Sequence, residues 1–85
     1  MPIHQITISK TAQKQLNKLT DNVAVKLIEA IEGLATDPRP NNCKKLKGRE
    51  AYRIRVNDYR IIYEIFDKIL LIDVVALGHR RDIYN

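Results

Sequence analysis

Residues 49–65 read R-E-A-Y-R-I-R-V-N-D-Y-R-I-I-Y-E-I, with Asn57-Asp58 near the middle. A polar pair of this kind permits positive φ at both positions of a two-residue hairpin loop. Such a loop fixes the register: Val56 opposes Tyr59, Arg55 opposes Arg60, Ile54 opposes Ile61, Arg53 opposes Ile62 and Tyr52 opposes Tyr63. Side chains alternate along a strand. One face then gathers Tyr52, Ile54, Val56, Tyr59, Ile61, Tyr63 and Ile65, and the other carries Arg53, Arg55 and Arg60. Like charges directly opposite each other destabilise an antiparallel pair. A sheet that sets Arg55 against Arg60 is built to receive something anionic.

The surrounding composition agrees. The formal net charge is +5, and the charge is clustered. Arg39, Lys44, Lys45, Lys47, Arg49, Arg53, Arg55 and Arg60 fall within one quarter of the chain, against only Glu50 and Asp58. That is the electrostatic footprint of a nucleic-acid or acidic-protein partner. A solvated basic face is the plain alternative, and the alternation that arrays the arginines on one face argues against it. With 85 residues, positions 1–85 make one domain with no room for a second core. No apolar run approaches the roughly 20 residues of a membrane span. The N-terminus lacks the basic-then-apolar pattern of a secretory signal. Cys43 is the only cysteine, so an intrachain disulfide and a multi-cysteine metal site are excluded. The expected location is the cytoplasm.

Working outward, residues 3–8 read as a short strand, with Ile6 and Ile8 alternating with Gln5 and Thr7. Ser9 is a candidate N-cap for a helix over 11–19, in which Ala12, Leu16 and Leu19 share one face. Lys10, Lys14 and Lys18 form a solvated stripe on the opposite face. Thr20-Asp21-Asn22 breaks the pattern and opens a second helix, with Ala24, Leu27, Ile28, Ile31, Leu34 and Ala35 as its apolar face, ending near Thr36-Asp37 before Pro38. Residues 37–48 are loop. After the hairpin, Asp67-Lys68 offers a second two-residue turn. In that register Leu70, Ile72, Val74 and Ala76 join the core face, and Val75 opposes Arg60. Ile69, Leu71, Val75 and Leu77 then lie on the other face, which calls for cover by a partner segment or the chain's own end. The fold class is α+β, two-layered: an N-terminal strand and α-hairpin packed on a mostly antiparallel sheet, in the order β-α-α-β-β-β.

For chemistry, the chain offers no paired carboxylates near a basic cleft, no glycine-rich phosphate loop and no histidine pair at metal-ligand spacing. No metal and no cofactor are therefore expected. What remains is Arg53, Arg55, Arg60, His79, Arg80, Arg81 and Tyr84. Guanidinium forks hold phosphates and stabilise the added charge of a phosphorane. Such a set suits metal-free RNA cleavage, because the 2′-OH supplies an internal nucleophile. Arginine is a poor base at neutral pH. Tyr84 or His79 could take that proton; equally, Tyr84 could be a packing residue and His79 a surface one.

The runs K-L-K-G-R-E-A-Y-R-I-R-V-N-D-Y-R-I-I-Y-E-I and D-V-V-A-L-G-H-R-R-D-I-Y resemble the RelE branch of the RelE/ParE toxin superfamily over nearly the whole chain. The resemblance implies the RelE-like fold and a toxin of a type II toxin–antitoxin module, cleaving mRNA in the ribosomal A site through 2′-OH attack. It implies a cognate antitoxin as partner, with operator DNA bound only by the antitoxin complex and no membrane partner. Position by position, it places the catalytic set on Arg53, Arg55, Arg60, Arg80 and Tyr84. Arg60 and Arg80 would bind phosphate and stabilise the transition state, and Tyr84 would stack on a base or move a proton. Lys44, Lys45, Lys47, Arg49, His79 and Arg81 complete the RNA-binding surface. The family's usual lysines at the first two positions are arginines here, so the general base stays open. Two other readings share these features: a ParE-like inhibitor of DNA gyrase, and a non-catalytic basic module that binds nucleic acid or protein.

Overall fold

The computed structural model describes residues 3–47 and 50–79. Within them, β1 (Gln5–Ile8) is followed by α1 (Lys10–Asn17) and α2 (Asp21–Gly33). Then come β2 (Lys44–Lys45), β3 (Ala51–Val56), β4 (Tyr59–Phe66) and β5 (Leu71–His79). The five strands form one sheet in the order β1-β5-β4-β3-β2, antiparallel except for β1 against β5. Both helices lie on one face, as expected for a two-layer α+β fold. No helix among the described residues is long and apolar enough to cross a membrane.

Local chemistry explains the helix starts. Ser9 is extended and its Oγ accepts the Ala12 N–H at 3.0 Å, so the first turn of α1 is capped from within. The same hydroxyl donates to the Val75 carbonyl at 2.7 Å, which ties the cap to β5. α2 starts after Thr20, whose side chain makes no capping bond. Its apolar spacing does the rest, since Leu27, Ile31 and Leu34 point into the sheet and are buried. These pack with Ala12 and Leu16 of α1 against Ile54, Ile61, Tyr63, Ile65, Ile72, Val74 and Leu77. Each large aliphatic side chain so buried contributes about 1.5–3 kcal/mol.

The hairpin register is the one expected from residues 49–65. Arg55 pairs with Arg60 and Tyr52 with Tyr63, and Asn57 takes φ 57° at the turn. The β4–β5 connection differs in two ways. Asp67–Ile69 form a 3-10 turn and Leu70 adopts φ 52°, so Phe66 pairs with Leu71 across a four-residue loop. Leu70 is therefore a turn residue and not a core one. In addition, a bulge opposite Ile62 and Tyr63 makes Tyr63 pair with Val74 but Ile62 with Ala76. Val75 is the extra residue. The bulge reverses the alternation, so Leu77 enters the core at 0 % exposed while Ala76 stays half-buried outside it. Arg60 consequently faces Gly78 and not Val75. The expected partner groove along Leu71, Val75 and Leu77 does not exist in that form, because Leu77 points the other way. β2 was also not expected; two residues of the loop pair with Arg53 and Tyr52.

Candidate functional site

The face of the sheet turned away from the helices is zoned by charge. Paired residues share a face, so the rows across the strands can be read directly. One row runs Glu64, Asp73, Thr7, and the Thr7 hydroxyl donates to Asp73 Oδ1 at 3.0 Å. The next runs Lys44, Arg53, Ile62. The third, nearest the Asn57-Asp58 turn, runs Arg55, Arg60, Gly78. Charge thus changes from acidic to basic over the length of β4.

The basic rows hold their arginines in unequal settings. Arg55 is exposed, Arg53 half-buried and Arg60 only 6 % exposed. A notch of about 60 Å³ opens between Arg55 and Arg60, walled by Asn57 and Asp58. The Asn42 side-chain amide donates to the Arg55 carbonyl at 3.3 Å and holds the loop 37–47 against β3. Arg60 next to Gly78 has no side chain beside it on β5, so the space alongside the buried guanidinium is not filled by its neighbour. The array can bring several positive charges and N–H donors to one phosphate backbone.

The other expected site residues are distributed as follows. Lys44 joins the arginine face. Lys45 pairs with Tyr52, belongs to the helix-side face by register, and reaches Glu50 at 3.5 Å. Lys47 is exposed in the loop after β2. His79 pairs with Tyr59 and so lies on the helix side, its ring edge-on to that of Tyr59 at 5.6 Å between centroids. Arg49, Arg80, Arg81 and Tyr84 lie outside the described residues.

Arg39, counted with the basic cluster in the sequence, serves the scaffold. Its Nη2 lies 2.9 Å from Asp67 Oδ2, its Nε donates to the Tyr52 hydroxyl at 3.3 Å, and its guanidinium lies over the Tyr52 ring. His4 Nε2 is 3.3 Å from the other Asp67 oxygen. The Arg39 hydrogen bond, with a lesser one from His4, holds the Asp67 carboxyl below its ordinary range, and the same bond with Asp67 raises the Arg39 pKa. Tyr63, below Tyr52, donates to the Pro38 carbonyl at 2.7 Å, and its burial pushes the phenol pKa up. These contacts lock the α2–β2 loop to the β4–β5 turn.

Comparison with known proteins agrees with this architecture. Residues 6–84 match the model of the ParE toxin family of type II toxin–antitoxin systems, parDE. A protein of Escherichia coli described as a RelE-like toxin is 27% identical, over 96% of this chain and 90% of its own. A protein of Methanocaldococcus jannaschii described as toxin RelE1 is 36% identical, over 84% of this chain and 86% of its own. Among solved structures, the archaeal RelE–RelB complex of Pyrococcus horikoshii superposes with a TM-score of 0.83 at 28% identity, covering 96% of this chain and 99% of that one.

Proposed function

The chain belongs to the RelE/ParE superfamily of type II toxins, on its RelE-like branch, and from that premise we propose that it is a ribosome-dependent mRNA endonuclease. The observation that carries this reading is the Arg53, Arg55 and Arg60 array on one sheet face, with Lys44 beside it. In the reaction, the ribose 2′-oxygen attacks the adjacent phosphorus, the 5′-oxygen leaves, and a cyclic phosphate forms. Arg55 and Arg60 bind the phosphate oxygens and meet the charge that builds up on them. Arg53 and Lys44 hold the neighbouring backbone. Arg80 and Tyr84, carried over from the family pattern, complete the set, with Tyr84 stacking on a base or moving the proton. Lys45, Lys47, Arg49, His79 and Arg81 add longer-range attraction for RNA.

The partners of this reading are a cognate antitoxin, which silences the toxin and carries the complex to operator DNA, and the ribosome with its mRNA in the cytoplasm. The RelE–RelB complexes among similar structures support the antitoxin.

Primer extension on cellular mRNA after brief induction tests the activity. Cuts in register with the reading frame, absent when translation is blocked, are expected. The family description matched here is that of ParE, and this favours one second reading, gyrase poisoning. That reading requires uncut mRNA, trapped gyrase on DNA and a DNA-damage response.

A further inference from the structure

A second basic recess lies on the helix side of the sheet, at the end of β4 that carries Arg60 on the other face. It has a volume of about 310 Å³ and is lined by Gln15, Lys18, Tyr59, Gly78 and His79 together with two leucines. That volume is at the lower end of the roughly 300–1,000 Å³ typical of small-ligand pockets. No carboxylate among the described residues lines it. Its floor is the Tyr59–His79 pair, two rings at 81° to each other. Its wall is the end of α1, where Gln15 Oε1 accepts the Leu77 N–H at 2.7 Å. That bond leaves the Gln15 amide nitrogen as the donor of this side chain. Lys18 stands at the rim, exposed, as the lowest member of the Lys10, Lys14, Lys18 stripe.

The recess and the Arg55–Arg60 row lie on opposite faces of the sheet, at the same end of β4 and β5. Tyr59 and Gly78 are the residues that flank Arg60 along β4 and across the β4–β5 pair. Successive residues of a strand point to opposite faces, so Arg60 looks to one side and Tyr59 to the other about 3.3 Å further on. Gly78 lies opposite Arg60, and a Cβ placed there would meet nothing within 4 Å.

We infer that this recess binds one unpaired nucleotide of the RNA strand whose backbone lies on the arginine face, with the base on Tyr59 and His79 and a phosphate at Lys18. The inference rests on the RNA-cleaving reading and extends its site by one nucleotide. Single-strand binding surfaces combine the same two parts, a basic track and aromatic stacking platforms. The basic stripe on α1 supplies charge complementarity for a polyanion.

The test uses the full-length toxin and a short oligoribonucleotide carrying 4-thiouridine at successive positions, irradiated and mapped by mass spectrometry. Crosslinks at Tyr59 or His79 are expected from one position only. Lys18→Gln should reduce the slope of log affinity against log salt by about 0.7, the share of one single-strand phosphate contact. Tyr59→Leu should weaken binding by about fivefold or more through lost stacking. Should Tyr59→Leu fail to fold, the exposed Lys18→Gln variant carries the test alone. Crosslinks confined to β3 and the Asn57-Asp58 turn, with an unchanged salt slope for Lys18→Gln, would overturn the inference. So would loss of antitoxin affinity in Lys18→Gln with RNA binding intact, which would assign the recess to the antitoxin. Frame-dependent mRNA cleavage without recess crosslinks defeats the recess and leaves the cleavage reading standing. Recess crosslinks in a toxin that cuts no mRNA defeat the cleavage reading and leave the recess.

Discussion

Arg55 and Arg60 face each other directly across the Asn57-Asp58 turn, one exposed and the other 6 % exposed. An antiparallel pair gains from opposite charges and loses from like ones, by roughly 0.2–1 kcal/mol. Two arginines here oppose stability and serve charge density. The conflict is local, since the neighbouring pairs Ile54–Ile61 and Val56–Tyr59 are apolar and hold the hairpin.

The first prediction follows from that conflict. Arg55→Thr places a β-branched residue opposite Arg60 and removes the repulsion. Its urea midpoint should rise, by about 0.2–1 kcal/mol in unfolding free energy. Its mRNA cleavage should fall. A variant that lost stability on this change would show that Arg55 holds the fold and not a ligand.

The hairpin was legible in the sequence because a two-residue loop leaves one register, and alternation then assigns every face. The β4–β5 register was not. Asp67-Lys68 looks like a two-residue turn, but Leu70 at φ 52° extends the loop to four residues, a conformation that no glycine or asparagine announces. Val75 adds a bulge inside an unbroken apolar run, V-V-A-L, where alternation carries no information. The two departures moved Arg60's neighbour from Val75 to Gly78. The arginine face survived the error because it is set by β3 and β4 alone. The Arg39 role was hidden too, since its partners His4 and Asp67 lie far away in sequence and meet only through β1 and the turn.

The bulge yields the second prediction. Leu77→Ala should cost about 2–5 kcal/mol, as for any fully buried leucine. Val75→Thr should cost less than about 1 kcal/mol, because Val75 lies on the half-buried outer face. An unbulged ladder puts Leu77 outside and demands a small loss there. Denaturant unfolding of the two variants decides between these arrangements.

The third prediction concerns pH. Asp67 has a folded-state pKa held below its ordinary 3.8, first by the Arg39 hydrogen bond. A depressed carboxyl contributes stability that is fully present above that ordinary value and is lost as pH falls through the folded pKa. Wild-type stability should therefore drop on acidification below about pH 4. Asp67→Asn removes this contribution, so the two unfolding curves should converge toward low pH. Curves that stay parallel from pH 6 to pH 2 would show that the contact adds nothing.

The last prediction separates charge from geometry at Arg60. Lysine keeps the positive charge and loses the planar fork that grips two phosphate oxygens at once. If Arg60 acts only by attracting RNA, Arg60→Lys should cleave nearly as well as wild type. If it meets charge developing on the phosphate, removing the matched donors should slow cleavage by about 100-fold or more. The second outcome is expected, because Arg60, 6 % exposed, has little freedom to reorient and is held for one geometry. The salt dependence of ribosome binding should stay the same in this variant, since the number of neutralised phosphates does not change. Circular dichroism and a urea midpoint on the same preparation establish that the variant is folded. Slow cleavage with unaltered salt dependence would place the role of Arg60 in the chemical step, and fast cleavage would confine it to binding.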